Sequence, residues 1–145
     1  MIEYAYSENS KTKLDSCTKT IKKVFEWAIK YRDGTIACGN RGESEQDTAF
    51  KKGLTELRYP NSNHNSLPSR AVDAVPYIDG KAVFGNTEKE KLDMAHYAGF
   101  IVGASYLMHE LGMIDCPLRW GGDWNQNGSV RDHKFLDFPH FEEVR

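Results

Sequence analysis

Leu14, Cys17, Ile21, Val24, Phe25, Ala28 and Ile29 recur three and four positions apart, with lysines between them. Such spacing lines one face of a helix, and predicts a first amphipathic helix ending near Asp33-Gly34. The short apolar run Thr35-Ile36-Ala37-Cys38 fits a strand. Residues 43–52 read as a short helix, with Gly53 just past its end where a left-handed residue is favoured. Pro60, Pro68 and a cluster of Asn and Ser mark residues 54–69 as an irregular loop. Arg70 to Pro76 reads as a strand with Ala71, Asp73 and Val75 on one face.

Thr87-Glu88-Lys89-Glu90 forms a capping box that opens the longest predicted helix, 88–111, with Gly112 beyond its end. Gly99 and Gly103 lie four apart within it, which predicts close packing against a sheet. From Arg119 onward the chain turns rich in Gly and Asn, then closes with a short strand around Phe138 to Phe141. Helices and short strands mix without a βαβ rhythm, so the pattern predicts an α+β fold. Neither a repeat nor a linker interrupts it, and one domain is expected over residues 1–145.

Composition narrows the function classes only slightly. A chain of 145 residues with 39% hydrophobic and 28% charged positions can bury a core without staples. The formal net charge of -2 is spread along the chain, so a basic face for nucleic acid is not expected. Cys17, Cys38 and Cys116 have no CxxC spacing; Cys17 and Cys38 fall in apolar runs and read as buried free thiols, which suits a reducing compartment. The start, Met1-Ile2-Glu3-Tyr4, lacks the basic and apolar regions of a secretory signal. No stretch approaches the roughly 18 apolar residues of a membrane span.

The chemistry lies in two clusters. Ser62-Asn63-His64-Asn65 runs on to Ser69-Arg70-Ala71-Val72-Asp73, and Asp137-Phe138-Pro139-His140 follows far downstream. Together they supply two imidazoles, a separated carboxylate and a second carboxylate three residues before a histidine. An open zinc site needs that inventory: three protein ligands, one position left for water, and a base. If strands carrying Asp73 and His140 are neighbours, the loop can fold His64 over them. The competing reading is that such spacings arise by chance and that lone histidines are surface residues. His96 and His109 on the long helix and His133 in a polar segment have no partner at ligand spacing and are read as non-catalytic.

Five segments in unchanged order add a resemblance. Cys38-Gly39-Asn40-Arg41 followed by Gln46, Pro60-Asn61-Ser62-Asn63-His64-Asn65, Pro68-Ser69-Arg70-Ala71-Val72-Asp73, Arg119-Trp120-Gly121-Gly122-Asp123-Trp124 and Asp137-Phe138-Pro139-His140-Phe141-Glu142 resemble one family over about residues 20–142. It is the phage endolysin branch of the D-alanyl-D-alanine-peptidase-like zinc peptidases, which cleave L-alanoyl-D-glutamate bonds in peptidoglycan. The resemblance implies a small antiparallel sheet flanked by helices, as in the hedgehog and D-Ala-D-Ala-peptidase folds. It implies zinc on His64, Asp73 and His140, a catalytic carboxylate at Asp137, and a substrate-oxygen role for Arg41. His64 and Asp73 stand nine apart, wider than is usual in the larger family, and the longer loop fits the endolysin branch.

On that resemblance, Asp137 takes the proton of the attacking water and returns it to the leaving nitrogen. Stem peptides are anionic, so Arg70 and Arg119 are candidate substrate-binding residues, each with a structural ion pair as the competing reading. Asp123-Trp124-Asn125-Gln126-Asn127-Gly128 matches the first half of a calcium loop, with Asp132 as a further oxygen ligand and Lys134 where the loop's closing glutamate belongs. Zinc is thus the expected cofactor and calcium a candidate regulator. A monomer is expected to wait in the host cytoplasm for holin-type release onto the wall, without a separate wall-binding domain and without membrane insertion. Two other functions use the same residues: a D-alanyl-D-alanine carboxypeptidase or dipeptidase, and a non-catalytic zinc-binding module.

Overall fold

Ser7 and Thr18 each cap a helix, and the chain breaks between the two. The computed structural model describes residues 2–145. It shows α1 at Glu8–Asp15 and α2 at Lys19–Ala28, where the apolar spacing predicted one helix. Three hydrogen bonds explain the break. Ser16 Oγ donates to Lys13 O at 2.6 Å, Thr18 N donates to Ser69 O at 2.9 Å, and Ser69 N donates to Ser16 O at 2.8 Å. The backbone at 16–18 is thereby claimed by the distant 69 segment, and Thr18 restarts the helix by accepting from Ile21 N.

The remaining elements follow as β1 (Gly34–Cys38), α3 (Glu43–Lys51), β2 (Ala71–Ile78), β3 (Lys81–Ala82), α4 (Glu88–Glu110), β4 (Leu118–Gly121) and β5 (Asp137–Glu143). A 3₁₀ turn at Asn63–Asn65 lies in the long loop before β2. The sheet runs β1-β2-β5-β4, all neighbours antiparallel, with β3 paired to the far end of β2. The α+β expectation is met. Strands β3 and β4 are not anticipated by the sequence pattern: β3 is joined to β2 through Asp79-Gly80, both at positive φ, and β4 is Leu118–Gly121, which runs into the segment read as rich in Gly and Asn.

Alternation along β2 and β5 separates core from site. Val72, Ala74 and Phe141 point to one face, where α2 and α4 cover them with Val24, Phe25, Tyr97 and Ile101. Phe141 is fully buried and meets Phe25 edge-on at 5.6 Å between ring centroids. Burying a phenyl ring of this kind contributes about 1.5–3 kcal/mol. Asp73, His140 and Glu142 take the alternate positions and face away from those helices.

Gly99 and Gly103 correct an expectation. Both are exposed, and a methyl group at either would meet no atom within 4 Å. Glycine is required elsewhere. A side chain at Gly39 would collide with Lys13 O and Ser16 Oγ, and one at Gly121 would collide with the Asp137 carbonyl.

Candidate metal centre and active-site cleft

Register brings the clusters together. Asp73 lies opposite His140 across β2 and β5, and Cys38 lies opposite Asp73 across β1 and β2. The loop before β2 delivers His64 from above. Ser62 caps the 3₁₀ turn and exchanges bonds with Asn65, while Arg41 N and Asn40 Nδ2 both donate to His64 O. These bonds fix the loop on the residues that follow β1.

Three donor atoms converge. His64 Nε2 is 3.2 Å from Asp73 Oδ1 and 3.2 Å from His140 Nδ1, and His140 Nδ1 is 3.4 Å from Asp73 Oδ1. A tetrahedral zinc ion with ligand bonds of about 2.0–2.1 Å requires ligand separations of about 3.3–3.4 Å. The three side chains therefore fit zinc in chemistry and in spacing.

The outer nitrogens are equally well placed. His64 Nδ1 is 2.7 Å from Gly39 O, and His140 Nε2 is 2.6 Å from Glu142 Oε1. An acceptor at the outer nitrogen holds the proton there and leaves the inner nitrogen's lone pair for a cation. The α-carbon of Gly39 packs against Lys13 O and Ser16 Oγ, where a side chain would not fit. Glu142 is held in turn by Arg119 Nε and Nη2, at 3.1 and 2.7 Å, and by Asn63 Nδ2 at 3.0 Å, all on Oε2.

Electrostatics follow from this crowding. Burial opposes charge on Asp73, but the surrounding imidazoles overcome it and hold the carboxyl well below the usual range. Burial likewise opposes charge on His64, which Asp73 reverses, raising that imidazole to about 10. Glu142 is held down at about 2 against its burial by the His140 bond and Arg119. Asp137 behaves oppositely: burial, then the charge of Asp73, pushes it up to about 6. Its Oδ2 lies 4.0 Å from His140 Nδ1, beside the donor triangle.

Other candidates fall where the sequence did not put them. Cys38 is half-buried, not buried, and its Sγ lies within 4.8 Å of donor atoms of His64 and Asp73. Its hydrogen points to Gly39 O at 3.5 Å, so it flanks the tighter triangle that His140 completes. Arg41 reaches the site with its terminal nitrogens already bonded, Nη2 to Asp73 Oδ2 at 3.2 Å and Nη1 to Gln46 Oε1 at 3.1 Å. Arg119 lines the cleft as the partner of Glu142. Arg70 does not line it: its side chain is exposed and donates to Asn63 Oδ1 at 2.8 Å.

Positioning residues were the larger omission. Glu142 enters the sequence reading only as part of a motif, and its place two residues after His140 on a strand is the available signal. Gln46 is fully buried; it donates to Leu57 O at 2.6 Å and accepts from Arg41 and Asn65. His133, which the sequence reads as non-catalytic, lines the cleft with its Nε2 buried, without a hydrogen-bond partner and 3.4 Å from Asp132 Oδ1.

Asp123, Asn125, Asn127 and Asp132 are brought into one loop that closes on itself. Asp123 accepts from the backbone N–H groups of Asn127 and Gly128. Both carboxamides donate to Asp132 Oδ2, Asn125 at 3.0 Å and Asn127 at 2.6 Å. Those side-chain bonds hold Asp132 below the usual carboxylate range.

Beside the triangle opens a cavity of about 450 Å³, walled by the 55–64 loop, Arg119, Trp124 and the 133–137 segment. That volume suits a short peptide stretch. A family model described as phage L-alanyl-D-glutamate peptidase matches residues 2–144. No curated protein matches the chain in sequence. Among solved structures, the fold is similar to that of the Serratia marcescens L-Ala D-Glu endopeptidase ChiX, with a TM-score of 0.62. That match covers 98% of this chain and 92% of the other at 20% identity.

Proposed function

The chain belongs to the phage L-alanyl-D-glutamate peptidase family, and from that premise we propose that it is a zinc-dependent endopeptidase. It hydrolyses the L-alanoyl-D-glutamate bond of peptidoglycan stem peptides and opens the host wall as an endolysin. The observation that carries this reading is the triangle of His64 Nε2, Asp73 Oδ1 and His140 Nδ1, with edges of 3.2, 3.2 and 3.4 Å. Those three residues would hold the ion. When bound, zinc supplies a Lewis acid that polarises the scissile carbonyl and acidifies water.

The protein's own residues do the rest. Asp137, partly desolvated and raised toward neutrality, accepts the proton of the attacking water. The same carboxyl then protonates the departing glutamyl nitrogen. Arg41 bonds Oδ2 of Asp73 and so keeps Oδ1 turned toward the two imidazoles. Glu142 holds the His140 ring in its orientation. Two residues expected to touch substrate, Arg41 and Arg119, thus serve the donor set first. The proposed chemistry needs no calcium at the 123–132 loop.

A lysis assay on purified peptidoglycan tests the reading. Chelation should abolish turbidity loss, and stoichiometric zinc should restore it. Full activity with zinc removed to trace levels would contradict it.

A further inference from the structure

Three cations stand on the wall of the cleft beside Asp137: Arg41, Arg119 and Lys134. Two are engaged. Arg41 is divided between Asp73 and Gln46, and Arg119 is divided between Glu142 and the Trp124 carbonyl. Lys134 is exposed and, among the described residues, has no carboxylate within 4.0 Å and no hydrogen-bond partner for its ammonium group. Glu56, also on the wall, does not pair with it.

The cleft continues on the far side of Asp137 into a second cavity of about 430 Å³. Leu54, Phe84, Leu136 and Phe138 make that side apolar, and Arg41 is its only cation. The two sides of the catalytic carboxylate therefore differ: one carries an unpaired ammonium, and the other carries mostly hydrocarbon, its one cation, Arg41, being already bonded to Asp73 and Gln46.

Substrate chemistry has the same asymmetry. On one side of an L-alanyl-D-glutamyl bond lies a methyl group. On the other lies a residue with two carboxyls, only one of which can continue the chain. The residue whose nitrogen departs thus keeps a free carboxylate a few bonds from the scissile atom. The geometry points to Lys134 as the specificity residue that binds this carboxylate, while the apolar side receives the alanine. The assignment rests on the peptidase reading above. Lys134 precedes Asp137 by three residues, a span of at most about 10–11 Å. Both line the same cavity, so a carboxylate held by Lys134 can belong to the residue whose nitrogen Asp137 must protonate. Lysine suits the task because its ammonium is a mobile point charge, able to follow a flexible substrate.

Two synthetic stem peptides, identical except that the free glutamyl carboxylate is a carboxamide in one, decide the matter. Zinc-loaded wild type should favour the acid over the amide by about tenfold in kcat/KM, the value of one charge-assisted hydrogen bond. Lys134→Met should bring that ratio to near one through a raised KM for the acid alone. Lys134→Arg should keep the preference, which excludes general damage, and Lys134→Glu should invert it. An unchanged preference in Lys134→Met, or equal cleavage of both peptides by wild type, overturns the assignment and leaves the peptidase reading standing. Cleavage of neither peptide by wild type overturns both.

Discussion

Asp73 and His140 face each other across the β2–β5 ladder, with Asp73 Oδ1 lying 3.4 Å from His140 Nδ1. Neither side chain makes the contact by its own flexibility. It is made by register, because a slip of one residue in β5 would turn His140 into the core and Phe141 out of it. The apolar packing on one face of the sheet thus sets the alignment of the donor atoms on the other.

Phe141→Ala should therefore do more than open a hole. Urea unfolding should show a loss of about 3–5 kcal/mol, the usual cost of deleting a buried ring. Zinc affinity, measured by competition with a chelator, should fall as well. Unchanged zinc affinity in a destabilised variant would separate register from packing.

Asp137 and His140 should part company on mutation. Asp137→Ala keeps the donor triangle and should retain one zinc per chain while losing about 10²–10⁴-fold in turnover. His140→Ala removes a donor and should lose both. Zinc analysis and wall lysis on the same preparations check this; near-normal lysis by Asp137→Ala would remove its catalytic role.

Glu142 gives a pH signature. Its folded pKa of about 2 lies below the ordinary value, so its stabilising contribution is complete above about 4.5 and is lost as pH falls through about 2. With chelator present throughout, the stability gap between wild type and Glu142→Gln should be widest near neutrality. It should close between those limits, with a slope of no more than about 1.4 kcal/mol per pH unit. At neutral pH the same variant should bind zinc about 10–100-fold more weakly.

Gln46→Leu tests the wall behind Arg41. The substitution keeps an apolar body but leaves Leu57 O, Asn65 and Arg41 each short of a partner. A cost of about 1–3 kcal/mol for each buried group left unpaired is expected in urea unfolding. A neutral result would mean that water replaces the amide.

Legibility in the sequence followed the range of the interactions. Helix α4 was readable because its cap lies within one turn, at Thr87 and Glu90, and α3 because Gly53 ends it locally at positive φ. The break between α1 and α2 was hidden because it depends on Ser69, more than fifty residues away. Strand β4 has only four residues, and pairing with β5 makes it a strand. The His64, Asp73, His140 and Asp137 candidates stood out because their chemistry is distinctive and because the family resemblance ordered them. Glu142 and Gln46 were obscure for the opposite reason: each acts through bonds to other side chains, and spacing does not reveal a partner. The bond from Arg70 to Asn63 Oδ1 is likewise unreadable in sequence, because a cation near a motif looks free until its neighbour is known.

The central claim is best tested on the products. Purified peptidoglycan digested with the zinc-loaded protein and examined by mass spectrometry should yield new C-terminal L-alanine and new N-terminal D-glutamate. The same protein treated with chelator should yield neither. Release of terminal D-alanine instead, or an intact stem peptide with zinc bound, would contradict the account.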